Sequence, residues 1–245
     1  GMLNNRLTVS FDWFNRKTIN MVGPAPELPV TLGANVPKMN NADMQSTGFE
    51  LDLGWRDRIK DFDYGVHLLL SDDRQKILKY PNTTGKINTW YVGKYNGDIW
   101  GFETIGIAKS QEEMDAHLAS LPNGGQDALG VKWGAGDIMY RDLNGDGKIS
   151  DGATLNDPGD KKVIGNSSPR FRFGLDLNAS WKGIDVRLFF QGVAKRDAWL
   201  NDNMFWGATG GIWQSACFTS HLDFFREEGD DFWSANKDAY FPRIL

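Results

Sequence analysis

The sequence predicts an all-β protein of antiparallel strands, and three observations carry that expectation. Apolar residues recur at every second position over long stretches, very short turns join some of those stretches, and glycine and aromatic residues are plentiful. Of 245 residues, 28 are Gly, 10 are Trp and 13% are aromatic. Alternation with period two places one set of side chains on each face of a pleated strand.

The first strand is predicted at about 6–14, "RLTVSFDWF", with Leu7, Val9, Phe11 and Trp13 on one face and Thr8, Ser10 and Asp12 on the other. Residues 15–46 contain Pro24, Pro26, Pro29 and Pro37 and read as a long loop. A second strand at about 47–56 alternates Phe49, Leu51, Leu53 and Trp55 with Gly48, Glu50, Asp52 and Gly54. After a short turn within "RDRIK", a third at about 61–71 carries Phe62, Tyr64, Val66, Leu68 and Leu70 on one side, with His67 on the other. The stretch 72–169 reads as a long loop with only local structure, including a helix at 110–121. There Ser110 and Glu113 have capping-box spacing, and Met114, Leu118 and Leu121 form an apolar stripe. Strands at about 170–182 and 184–194 follow, joined by Lys182–Gly183, and 195–245 closes the chain as loop. "GNSSPR" (165–170) reads as a strand start, with Pro169 at its edge.

Strands of about nine to twelve residues exceed the usual five or six of a soluble sheet. Their length, the apolar/polar alternation, the aromatic ends (Trp13, Trp55, Phe171, Trp181) and the long loops opposite short turns describe a transmembrane β-barrel segment. A soluble sandwich with one wet face produces the same alternation, so pattern alone leaves both architectures open.

Composition narrows the function classes. Mean hydropathy is −0.45 and no run approaches the roughly 20 apolar residues of a spanning helix. Net charge is −5, with no basic stripe, which argues against nucleic acid. Cys217 stands alone, so no intrachain disulfide forms. His67, His117 and His221 lack partners at metal-ligand spacing, and no nucleophile elbow or phosphate loop occurs, so no catalytic residues are assigned. The chain is strand-like within a few residues of its start and ends on "DAYFPRIL"; both ends read as internal to a longer protein.

Two features offer binding chemistry. In "DLNGDGKISDG" (142–152) the oxygen side chains of Asp142, Asn144 and Asp146 precede a glycine, the first half of a calcium-loop pattern. Position 12 of an EF-hand would be Ala153, and no helices flank the loop, so an EF-hand is excluded. The expected calcium set is Asp142, Asn144, Asp146, the Lys148 carbonyl and Asp151; the alternative is a metal-free Asx- and Gly-rich turn. In "WLNDNMFWGATGGIW" (199–213), Trp199, Phe205, Trp206 and Trp213 are candidates for stacking on a substrate, with Asn201, Asp202 and Asn203 as hydrogen-bonding neighbours. Tyr95 and Trp100 join them from 91–104; self-packing of these aromatics is the competing reading.

Several stretches together resemble the SusC/RagA-type TonB-dependent outer-membrane receptors: "NNRLTVSFDWFNRKT" (4–18), "STGFELDLGWRD" (46–57), "GDIMYRDLNGDGKISDG" (136–152), "GDKKVIGNSSPRFRFGLDLNASWKGIDVRLFFQGVAKRD" (159–197) and "DAYFPR" (238–243). The resemblance spans essentially the whole chain. It implies a barrel of about twenty-two strands, of which this chain holds part of the C-terminal half. Plug domain, TonB-contacting segment and final strands lie outside it. It implies import of glycans or peptides across the outer membrane of Bacteroidetes-type Gram-negative bacteria. The implied partners are a SusD-like surface lipoprotein, the TonB complex through other parts of the receptor, and outer-membrane lipid. A soluble calcium-stabilised carbohydrate-binding β module and a surface glycosidase are the rival classes. If the oily faces meet lipid, Leu7, Val9, Phe11, Phe49, Leu51, Leu53, Leu175, Leu177, Val186 and Leu188 must look outward. The isolated chain, expressed without detergent, is then expected to aggregate on size-exclusion chromatography; a monodisperse monomer would favour the soluble module.

Overall fold

The computed structural model describes residues 2–25, 37–200, 203–206, 218–229 and 234–244. In chain order the elements are β1 (Leu7–Gly23), β2 (Met39–Ile59), β3 (Phe62–Lys79), β4 (Asp98–Phe102), β5 (Thr104–Ile107), α1 (Gln111–Ala119), β6 (Ile138–Tyr140), β7 (Lys161–Asn166), β8 (Arg170–Trp181), β9 (Ile184–Lys195) and the short α2 (Asn203–Trp206). They fall into two compact units: Gly1–Asp98 with Gly165–Ala198, and Ile99–Ile164 with Trp199–Leu245.

The first unit is a five-stranded antiparallel sheet in the order β1-β2-β3-β8-β9. Its rows run straight across the strands. Val9, Leu53, Leu68, Leu175 and Phe190 form one apolar row, and Leu7, Trp55, Val66, Leu177 and Leu188 the next. The interleaved rows are mostly polar: Thr8, Gly54, His67, Asp176 and Phe189, then Ser10, Asp52, Leu69, Gly174 and Gln191. The turns are as short as expected. Phe62 pairs directly with Ile59 across Lys60–Asp61, and Trp181 with Ile184 across Lys182–Gly183. Lys182 and Gly183 both take positive φ, 47° and 86°, the conformation whose twist matches a two-residue hairpin.

Three strands are longer than the sequence predicts. β1, β2 and β3 have 17, 21 and 18 residues, so 15–23, 39–46 and 72–79 continue the sheet instead of forming loop. In those extensions both faces are polar or mixed, so the period-two signal disappears although the hydrogen-bond ladder does not. The stretch 72–169 likewise carries β4 to β7 as well as α1: β4 pairs with β7, and β5 with β6.

None of the ten residues expected to look outward is buried. Phe11 is 61% exposed, and Val186 and Leu188 are each 50% exposed. Among the described residues of this unit, the buried apolar side chains are Ala42, Ile77 and Ile87, all outside the alternating band. A sandwich would have closed over the ten; this sheet presents them.

The start of β8 is built as a corner. Pro169 precedes it, and Phe171 adopts φ 50°, strained for a bulky side chain. Asp72 holds the corner by accepting from the Phe171 N–H at 3.3 Å and from the Arg170 guanidinium at two points. Asn166 donates to the Asn96 carbonyl (3.0 Å) and to Asp98 (2.9 Å), and its N–H donates to Asp197 (2.8 Å). "GNSSPR" is thus the strand start the sequence suggests.

In the second unit α1 begins one residue inside the predicted span. Ser110 is its N-cap and accepts from the Glu113 N–H at 3.2 Å; Glu113 returns to the N–H of Lys109 (2.7 Å) instead of closing the box on Ser110. Met114 is fully buried with Ala108 and Met139, and Leu118 and Trp133 pack against them.

Gly48 marks where the sheet admits no side chain. A Cβ there would lie 2.3 Å from the Asp72 carbonyl and 2.8 Å from Phe14, whose ring covers the glycine. Gly48→Val must open the β2–β3 ladder, at a cost above about 2 kcal/mol. The expected result is a marked loss of protease-resistant protein in detergent, read by limited proteolysis; unchanged resistance would contradict this close approach.

Candidate functional site

The polar face of the sheet is the first candidate surface. His67 Nε2 and Asp52 Oδ1 lie 2.7 Å apart, and Asp176, in the same row as His67, takes the Arg187 guanidinium in a two-point pair. His67, Asp176 and Arg187, with Thr8, Arg56 and Asn178, line a concavity of about 940 Å³. Charged residues at this depth of a spanning strand require water on their side of the sheet.

The acidic loop is the second candidate and is built by backbone donors. Asp142 accepts from the N–H groups of Gly145 (2.6 Å) and Gly147 (2.9 Å). Asn144 Oδ1 accepts from Asp146 N–H (2.9 Å), and Asp146 from Lys148 N–H (3.1 Å). The turn closes on a residue outside the motif. Fully buried Asp160 accepts from the N–H groups of Leu143 and Ser150, both at 2.7 Å, and from the Ser150 hydroxyl at 3.1 Å. Carboxylate oxygens of Asp142, Asp146 and Asp160 lie within 4.8 Å of one another. Desolvation opposes the charge of Asp142, but the N–H groups of Gly147 and Gly145 outweigh it and hold the carboxyl below its ordinary value.

Of the expected calcium set, the structure therefore groups Asp142 and Asp146 with Asp160. Asn144 sits beside them, its amide donating to Asp146 at 3.3 Å. Asp151 is instead ion-paired with Lys161. Lys148 contributes its N–H to Asp146, and its amide neighbourhood is the Gly125 bridge. Asp160 was not in the expected set because it lies beyond the loop pattern; its signal was only the general acidity of the stretch. The three carboxylates offer only oxygen donors, the kind a hard cation takes, and those of Asp160 already accept from Leu143, Asn144 and Ser150.

The aromatic candidates each have their own surroundings. Phe205 packs edge-on against Trp206 (5.1 Å) and Phe241 (5.7 Å), and the Trp206 indole donates to the Leu200 carbonyl at 2.9 Å. Trp199, 59% exposed, lies over Gly101, and Trp100 is within β4. Tyr95 belongs to the first unit, beneath the Arg74 guanidinium at 4.8 Å. Trp213, Asn201 and Asp202 lie outside the described residues.

No protein-family model matches the chain. Among curated proteins it is similar to TonB-dependent receptor P3 of Formosa agariphila, 25% identical over 204 residues, and to TonB-dependent receptor P26 of the same organism, 28% identical over 204 residues. Each alignment takes in 78% of this chain and 19% of the relative, so the chain spans about a fifth of the length of the curated proteins it matches. Among solved structures it is similar to the RagAB peptide transporter (TM-score 0.60, 22% identity) and to the RagAB peptide importer in its open-open state (TM-score 0.63, 21% identity). Both likenesses cover 98% of this chain and 24% of the other, and they bear on fold. The outward apolar rows, the polar rows between them, the two receptor relatives and the shared fold converge: the chain has the fold of a β-barrel segment like that of the RagAB transporter and is similar in sequence to TonB-dependent receptors.

Proposed function

We propose that the chain forms part of the wall of an outer-membrane importer, its apolar rows against lipid and its polar rows against an aqueous interior. One observation carries this reading: the sheet's apolar face is exposed over a height that fits a membrane. From the Trp13–Phe49 row to the Ile59–Phe62–Trp181 row is ten positions along β2. At about 3.3 Å per residue and a tilt near 40°, that is roughly 25 Å, the height of an outer-membrane apolar band. Aromatics stand at both ends, with Trp13 at 64% exposure and Trp181 at 50%. The short turns then face the periplasm and the long segments the outside.

The cargo belongs to the class of oligomeric nutrients, oligosaccharide or peptide, taken up together with a SusD-like lipoprotein in a Bacteroidetes-type cell. Support for the class comes from the SusC/RagA fold and the Formosa relatives. Single cysteines in the full-length receptor test the orientation. At Phe11 and Leu51 they should resist a water-soluble maleimide and be quenched by lipid-phase quenchers. At Ser10 and Asp52 they should label from water. The reverse pattern would sink the reading.

A second reading concerns the acidic loop, which we propose binds Ca²⁺ through Asp142, Asp146 and Asp160 and so stiffens an external segment. Three carboxylates converging on one point support it. Calcium should protect residues 142–160 of the full-length receptor from proteolysis, and Asp142→Asn should weaken that protection at least about tenfold, the effect of roughly 1.4 kcal/mol. Titration calorimetry with no calcium heat in the unaltered receptor would remove the ion.

A further inference from the structure

Just beyond the apolar band, on the same face, the sheet changes chemistry. Outward from the Trp13–Phe49–Asp72 row, the next two same-face rows are Asn15–Thr47–Arg74 and Lys17–Gln45–Lys76. The register is unbroken across these rows, so their side chains leave the sheet on the side of Phe11, Leu51 and Leu70. Lys17, Arg74 and Lys76 are all exposed, and none forms an ion pair among the described residues. Neighbouring arginines differ: Arg170 is paired with Asp72 and Arg172 with Asp73.

The cations are positioned. Segment 93–96 continues the sheet beside β3, with Ile77 N–H donating to the Lys94 carbonyl (2.9 Å) and Asn96 N–H to the Gln75 carbonyl (2.8 Å). This places the Tyr95 ring under Arg74 at 4.8 Å and near the Lys76 ammonium at 5.9 Å. A cavity of about 240 Å³ opens beside Arg74 and Tyr95.

Depth identifies the occupant. Two and four residues beyond the band edge correspond to heights of about 5 and 10 Å, so Arg74 stands within a headgroup layer about 5–8 Å thick and Lys17 and Lys76 start just above it, within reach of their long side chains. Because the long segments lie on this side, the leaflet is the outer one. A small anion would need only the cations; here, below the Trp13–Phe49–Asp72 row in which Arg170 neutralises Asp72, the same face continues as the apolar Phe11–Leu51–Leu70 row, which matches an amphiphile. We propose that Lys17, Arg74 and Lys76 form a site for the phosphate-bearing headgroup of an outer-leaflet lipid whose acyl chains lie on the apolar band. The proposal rests on the membrane-spanning reading above.

The test uses the full-length receptor in detergent, with phosphatidic acid, phosphatidylcholine and inorganic phosphate as alternative additives, read by native mass spectrometry and thermal unfolding. Phosphatidic acid should bind at least about tenfold more tightly than phosphatidylcholine, since each surface cation near anionic headgroups contributes roughly a factor of five. Combined Lys17→Gln, Arg74→Gln and Lys76→Gln should abolish the preference while leaving the folded barrel's gel mobility unchanged. Should the triple variant not fold, Arg74→Gln alone should reduce the preference several-fold, and salt should do so in the unaltered receptor. Equal binding of the two lipids, an unaffected variant, or equal stabilisation by inorganic phosphate would each overturn the lipid site. A receptor that stays monodisperse without detergent would instead overturn the spanning reading, and this site with it.

Discussion

One sheet facing two solvents is the constraint on which the rest of this structure depends. Of the ten outward apolar side chains of the alternating band, four are exposed and six partly exposed, and leaving such a side chain in water costs about 1.5–3 kcal/mol when fully exposed. Counted at about a third, ten of them amount to roughly 5–10 kcal/mol, comparable to the net stability of an ordinary domain. No chain retains such a face against water. Lipid removes the cost without requiring a second layer, so the sheet needs no packed interior of its own. That is why the buried apolar side chains described in the first unit, Ala42, Ile77 and Ile87, all lie beyond the band.

Satisfying the backbone is the other half of the constraint. Hydrocarbon offers no hydrogen-bond partners, so every amide in the band must pair with the next strand. The straight rows and unbroken register across β2, β3 and β8 meet that demand, and the bulges are confined to the outer ends, near Met21 and Asp43. Several charges within the band sit on the polar face in company: His67 with Asp52, Asp176 with Arg187.

The same physics explains what could be read from residues alone. Period two is visible only where the two faces meet different solvents, so the band portions of all five long strands and both tight turns were legible. Where β1, β2 and β3 run on into water, both faces want polar residues, and residues 15–23, 39–46 and 72–79 read as loop although the ladder persists. The acidic loop was half legible. Asp142 and Asp146 follow from local spacing, but Asp160 reaches the turn only because the chain returns from Pro158 and Gly159, which no local pattern encodes. Aromatic composition does not encode the setting of each ring: Phe205 packs on Trp206, whose indole donates to the backbone, and Tyr95 lies beneath a guanidinium.

The second unit shows how a long segment between barrel strands keeps its shape with little sheet. Its strands are short, and a buried amide outside a ladder still needs a partner. Buried side chains supply them. Gln126 accepts from the Tyr140 N–H at 2.6 Å and donates to the Ile138 carbonyl at 3.2 Å, closing the end of β6. Asp137 takes the Gly134 N–H at 2.8 Å and the Arg243 guanidinium at 2.7 and 2.8 Å. Asp160 does the same for Leu143 and Ser150. Each of these is a single side chain standing where a neighbouring strand would otherwise be. Removing any one leaves buried donors unmet at about 1–3 kcal/mol apiece, whereas an external aromatic could be exchanged at far smaller cost. The acids of this stretch are therefore first of all scaffold, and whatever the loop binds is bound by a turn that they have already shaped.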